Sequence, residues 1–334
     1  MSTPIRRQRI VLASTIALAC ASWILLNAAI IALSRGFLPF DRPALMRMPF
    51  AWQIAMPSLG LIEQLALMGL VAALCRGRSV APREALIPER ATALREAGAV
   101  LAYAMLAQGL GWWLAPLLGS RPFSFHLAGT LVGCSVPPTP HEALVWAAYN
   151  GVVYAVLPGL WFVRRYGAAG LWLRFDAGGR DLRVLVSVLM VEAAVQIAAM
   201  PAILQTPPAL WLKAGPVALV LYGVGTVLPT MITVYAILVP RYWRITGSRA
   251  AATILGGLTY AALHLIEGWS NFDSPRDAVL SLLFVMLSYT GPGMFKSYVT
   301  LRTGNAWVHA LGYHAVAPHV LFDTPLVARI FAIS

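Results

Sequence analysis

Long apolar blocks, not short alternations, set the pattern of this chain. Runs of about 20 apolar residues, the length that spans a bilayer core, are separated by short polar segments rich in arginine. The pattern predicts nine helical spans, at about 11–34, 54–75, 98–118, 142–163, 184–204, 216–239, 250–268, 278–295 and 305–322. The runs are continuous and do not alternate residue by residue, which selects helices over a barrel. The eighth span is the weakest, because "YTGPGMFK" interrupts it. The predicted fold class is all-α: a polytopic helical membrane protein.

Composition agrees. Hydrophobic residues make up 59% of the chain and charged residues 11%, against about 25% charged in a soluble domain. So few charges do not wet a water-facing surface. The net charge of +12 would suggest nucleic acid in a soluble protein. Here the arginines fall between apolar runs, so they read as topology signals and contacts to lipid headgroups. Membrane lipids are the expected partners, and nucleic acid is not. The arginine-rich segments are the N-terminus and the loops after spans two, four, six and eight, all on one side. That places the N-terminus in the cytoplasm and the C-terminus outside, although Arg35, Arg42 and Arg47 in the first outer loop run against it. The basic start and long first apolar run read as a retained helix rather than a cleaved signal. Cys20, Cys75 and Cys134 have no zinc-ligand spacing and predict no disulfide framework.

Ionisable groups inside spans are costly, so each is a candidate functional group. They are Glu63, Glu192, His264, Glu267, His309, His314 and His319. Counting from the cytoplasmic ends, His264 and His319 lie roughly 21 Å deep, Glu63 roughly 18 Å, His314 roughly 14 Å and Glu192 roughly 12 Å. His309 is shallower. Neutral imidazoles with a carboxylate suit zinc. The plain alternative for any one histidine is an interhelical hydrogen bond. Five-residue spacing turns an ideal α-helix by about 140° net, so His309, His314 and His319 are not expected on one face, although Pro318 breaks the helix and could turn His319 toward His314. Glu267 lies near the outer end of its span and reads as wet, and His126 and His141 read as solvated loop residues.

The run from Pro216 to Asp323 resembles the core of the CPBP (ABI) family of intramembrane metalloproteases, the CAAX-processing and bacteriocin-processing type. The resemblance lies in "PRYWRITGS" (240–248), "YAALH" with Tyr260 and His264, and "RTGNAW" (302–307) opening the last helix. It divides the chain into N-terminal helices (1–215), a family-like core (216–323) and a short tail (324–334). The chain diverges at the family's first motif, EExxxR, where Thr230, Met231 and Tyr235 stand. The last motif falls at His314 or at His319, and Asp323 follows His319 by four residues.

The resemblance implies zinc held by His264, His314 and His319, with His309 and Asp323 as further candidate ligands. It also implies a carboxylate base. With the usual glutamates absent, Glu192 is the replacement candidate and Glu63 the next. The implied function is that of a divergent intramembrane peptidase acting on a membrane-associated peptide or protein, in a bacterial plasma membrane. The alternative is an inactive relative serving as scaffold or chaperone. A third reading is a histidine-ligated redox or transport protein, but the chain has no CxxCH haem motif and no transporter-like repeat.

Overall fold

A computed structural model describes residues 4–80, 84–127, 135–174 and 178–334, with side chains of the first helix from residue 13 onward. Cys134 lies outside the described residues. The described residues form helices and no strand. Seven helices are long and apolar enough to cross a membrane. They are α1 (Ala13–Ser34), α2 (Phe50–Leu74), α3 (Arg90–Leu117), α4 (Pro140–Gly170), α5 (Gly178–Ala199), α6 (Pro208–Thr246) and α8 (Pro275–Thr303). Two shorter helices, α7 (Arg249–Leu263) and α9 (306–322), fall on the remaining two predicted spans, and α10 (Thr324–Ile330) closes the chain.

The differences from the sequence pattern have local causes. Helix α7 has 15 residues, about 22 Å of rise, short of the roughly 30 Å of a bilayer core. It ends at His264, before the predicted limit. There the His264 Nδ1–H turns back to the Tyr260 carbonyl at 2.7 Å. The loop that follows is fastened by Asp41 N–H to the Trp269 carbonyl at 3.0 Å, and by Asn271 N–H to Ser281 Oγ at 2.9 Å. Helix α8 runs through "YTGPGMFK" without a break and continues to Thr303. Buried helices tolerate proline and glycine where neighbours resupply the contacts.

Helix α6 is the centre of the bundle. Every residue from Met231 to Trp243 is buried, as expected for a helix apolar on all sides. Helices α7 and α8 meet through glycines. A Cβ on Gly257 would lie 2.4 Å from Met294 Cγ and 2.7 Å from the Thr290 carbonyl, and one on Gly293 would lie 2.9 Å from Gly257 Cα. Gly257→Val is therefore expected to force the two helices apart at a cost of about 1–3 kcal/mol, the usual scale of overpacking. Its melting temperature in detergent should fall below that of Gly98→Val, whose Cβ meets nothing within 4 Å. Equal melting of the two variants would contradict this close approach.

Helix α9 corrects one expectation outright. Residues Ala310–Phe322 form a π-helix. Its i→i+5 hydrogen bonds bring residues five apart onto successive turns of one side. The spacing that scatters residues around an α-helix brings His314 and His319 together here, while His309, just before the π-helical run, packs on Tyr235 instead. The rings of His314 and His319 stand 5.3 Å apart.

Candidate metal and polar cavity site

The histidines share a single hydrogen-bonding habit. In each, Nδ1 faces an oxygen. His264 Nδ1–H donates to the Tyr260 carbonyl at 2.7 Å, and His319 Nδ1–H to Asp323 Oδ2 at 2.9 Å. His314 Nδ1 lies 3.4 Å from Thr230 Oγ1, whose own proton goes to the carbonyls of Thr226 and Val227, so that oxygen is left to accept. His309 Nδ1 lies 3.1 Å from Thr300 Oγ1, which likewise spends its proton on the Lys296 carbonyl. The carbonyl behind His264 and the carboxylate behind His319 place the proton on Nδ1 of those two rings and leave their Nε2 as a bare lone pair. Each of the four Nε2 atoms is buried and has no hydrogen-bond partner. An oxygen behind Nδ1 with an open Nε2 in front is the arrangement that orients a metal-ligating imidazole.

Two residues join the site that the sequence reading treated as solvated. His126 lies on the loop after α3, with its side chain only 11% exposed, and Glu267 is 3% exposed. Helix α4 holds that loop from behind, with Trp146 Nε1–H and Asn150 Nδ2–H both donating to the Ser124 carbonyl, at 2.7 and 3.0 Å. His126 Nδ1 sits 3.1 Å from Glu267 Oε1, and its ring 4.8 Å from that of His264. One ligand atom from each of His126, His264 and Glu267 lies within 4.8 Å of the others. His141 remains at the surface, against the Leu118 carbonyl.

Beside this group lies a cavity of about 330 Å³, lined by His126, Glu192, Lys296, His314 and His319 among others. Pro292 also lines it, and a proline leaves the Ser288 carbonyl without its helical N–H partner. Glu192 reaches the cavity from α5. Its Oε1 accepts from Gln196 Nε2–H, and the carboxyl also shares a hydrogen bond with that of Glu63. Glu63, from α2, meets that carboxyl but does not itself line the cavity. His309 lies one π-turn before His314, edge-on to Tyr235 at 4.3 Å, and is also absent from the lining. Asp323 stands behind His319 on the Nδ1 side and also lines the cavity.

Arg42 lines the cavity too, which explains why it runs against the charge pattern of its loop. It is buried, with its guanidinium 4.8 Å from the centre of the Trp269 ring. Burial pulls it below the ordinary arginine value, against the opposing pull of Tyr289 and Glu267.

Around the cavity stand the imidazoles of His126, His264, His314 and His319 and the carboxylates of Glu192 and Glu267, a donor set that fits a divalent transition ion. Only His264, His314, His319 and Glu192 of this set were legible as candidates in the sequence. His126 and Glu267 carry no spacing signal, since 141 residues separate them. No family model, curated protein or solved structure matches the chain.

Proposed function

We propose that this chain is a divergent intramembrane metallopeptidase, related to the CPBP type, that acts on a membrane-associated peptide. The observation that carries the reading is the convergence of ligand atoms from His126, His264 and Glu267 next to a cavity that Glu192 also lines. Those three residues would hold the ion, with zinc the best match to two imidazoles and a carboxylate. A zinc ion so bound supplies Lewis acidity toward a scissile carbonyl. The chain's own residues supply the rest. Asp323 and Thr230 orient the two cavity imidazoles of α9 from behind. Glu192, which lines the cavity, takes and returns a proton as general base.

A spatial detail supports the family relation. Thr230, which stands at the family's first glutamate position, faces His314. The same substitution favours the second reading, an inactive relative kept as a membrane scaffold. In our reading the protein lies in a bacterial plasma membrane with its N-terminus in the cytoplasm.

Cleavage decides between the two readings. Purified protein in lipid nanodiscs is expected to retain zinc and cut a tagged membrane peptide. Chelation should abolish the cutting, and zinc should restore it. His264→Ala should lose both zinc and cleavage. A wild-type chain free of metal, with no cleavage across a library of membrane peptides, would establish the scaffold reading.

A further inference from the structure

We propose that a groove between α3 and α4 binds one anionic phospholipid, with the phosphate held by Arg95 and Arg165 and an acyl chain laid along the helices. The groove is a cavity of about 540 Å³ at the end of the bundle where α3 begins and α4 finishes. It is graded along its length. Arg95 and Arg165 line one end. Tyr103 on α3 and Leu157 on α4 line the other, each eight residues, or about 12 Å, from its helix's arginine. Between them the walls are apolar, with Ala99, Val100 and Trp161. Leu157 and Trp161 are 53% and 67% exposed, so the groove opens sideways, where a bilayer supplies lipid.

The arginines at the polar end are open to an anion. Glu96, the carboxylate in the lining, is claimed by another helix. Its Oε2 accepts from Nε–H of Arg241, on α6, at 2.8 Å, and Tyr166 O–H donates to its Oε1. The Arg241 side chain is 1% exposed, so that pair is buried. Arg165 keeps a loose 3.5 Å contact to Glu96, and its side chain is 54% exposed. Arg95 donates to Thr92 Oγ1 at 3.3 Å, a neutral partner. Two guanidiniums at one opening complement a phosphate diester, whose oxygens accept from both. The inner end is closed. Val153 lies in the π-helical turn of α4 (Gly151–Val156), and five residues on stands Pro158, which has no N–H to give it. Tyr103 O–H donates to the freed Val153 carbonyl at 2.6 Å and pins the two helices together there. A soluble phosphate ester would use the arginines and leave the apolar walls bare. A neutral lipid would use the walls and leave the arginines. An anionic phospholipid uses both.

Lipid titration tests this. Dioleoylphosphatidylglycerol and dioleoylphosphatidylcholine are added in turn to the full chain in detergent, and bound lipid is counted by native mass spectrometry. The chain is expected to hold one phosphatidylglycerol and to prefer it to phosphatidylcholine. Glycerol phosphate in excess should not displace it. Neither comparison needs a variant. Arg95→Gln with Arg165→Gln should weaken phosphatidylglycerol binding about 30-fold, from about fivefold per arginine at a headgroup. Arg90→Gln with Arg164→Gln takes the same charge from the same ends of the two helices, outside the groove, and should leave binding unchanged. Ala99→Trp, at an exposed position in the groove wall, should block the acyl chain with both arginines in place. Equal affinity for the two lipids, or equal losses from the two arginine pairs, would reduce the groove to ordinary lipid contact and overturn the site. Displacement by glycerol phosphate would assign it to a soluble phosphate ester instead. Full binding of phosphatidylglycerol by Ala99→Trp would take the acyl chain out of the groove and overturn the proposal as well.

Discussion

Glu192→Gln is expected to lower cleavage of a membrane peptide by roughly 100-fold or more, the usual scale for losing a general base. The amide fills the same space as the carboxyl, so the packing of α5 against α9 and the contact with Gln196 survive. It has no site for the proton that a carboxylate takes up. A metal held by His126, His264 and Glu267, as proposed, should stay, since Glu192 is not in that group. The measurement is a pair: cleavage rate and zinc content of the same preparation. Loss of cleavage with zinc retained assigns Glu192 to the proton transfer. Loss of both makes it a ligand instead. Unchanged cleavage removes it from the chemistry and leaves Glu63, which meets the same carboxyl from α2 but does not line the cavity. Glu63→Gln is expected to have the smaller effect for that reason.

The membrane helices were legible because a bilayer imposes a length on apolar runs, and seven runs meet it in full. The segments at 250–268 and 305–322 were read as spans of the same kind and proved shorter. Helix α7 gives way where His264 bonds back to Tyr260, a contact that hydropathy does not register. Helix α9 departs from the α repeat altogether. Read at about 3.6 residues per turn, His309, His314 and His319 look scattered, and only the five-residue interval itself hinted at the wider turn. Within the site, the sequence could mark a buried imidazole as costly but could not say which nitrogen was left open. That depends on Thr230, Thr300 and Asp323, whose hydroxyls and carboxylate meet the rings only after folding. His126 and Glu267 were misjudged because position in the chain put them near water, whereas α4 draws the His126 loop inward through the Ser124 carbonyl and so sets His126 against Glu267.

The largest loss of stability is expected from Asp181→Ala, at the opposite end of α9 from the cavity. Asp181, in the first turn of α5, is fully buried. Its Oδ1 accepts from Arg78 Nη2–H at 2.6 Å and its Oδ2 from Asn305 Nδ2–H at 2.8 Å. Arg78 also donates to the Thr303 carbonyl, and Asn305 Oδ1 accepts from Trp307 N–H at 3.0 Å, capping the start of α9. One carboxylate thus ties the end of α2, the start of α5 and the helix that carries His314 and His319. Removing it leaves the Arg78 guanidinium, with its side chain 8% exposed, without its counter-charge. Breaking a buried pair from one side costs about 3–5 kcal/mol, a large share of the roughly 5–15 kcal/mol that holds a typical protein folded. Asp181→Ala should therefore reach the membrane at a low level and melt well below wild type in detergent. Asp181→Asn keeps the shape and one acceptor, so it should fall between the two. The double change Asp181→Ala with Arg78→Met removes both charges, and it should recover part of the loss, because the stranded guanidinium is the main source of the cost. A double variant no more stable than Asp181→Ala would shift the cost to the Asn305 cap, and Asn305→Ala alone should then reproduce the full loss.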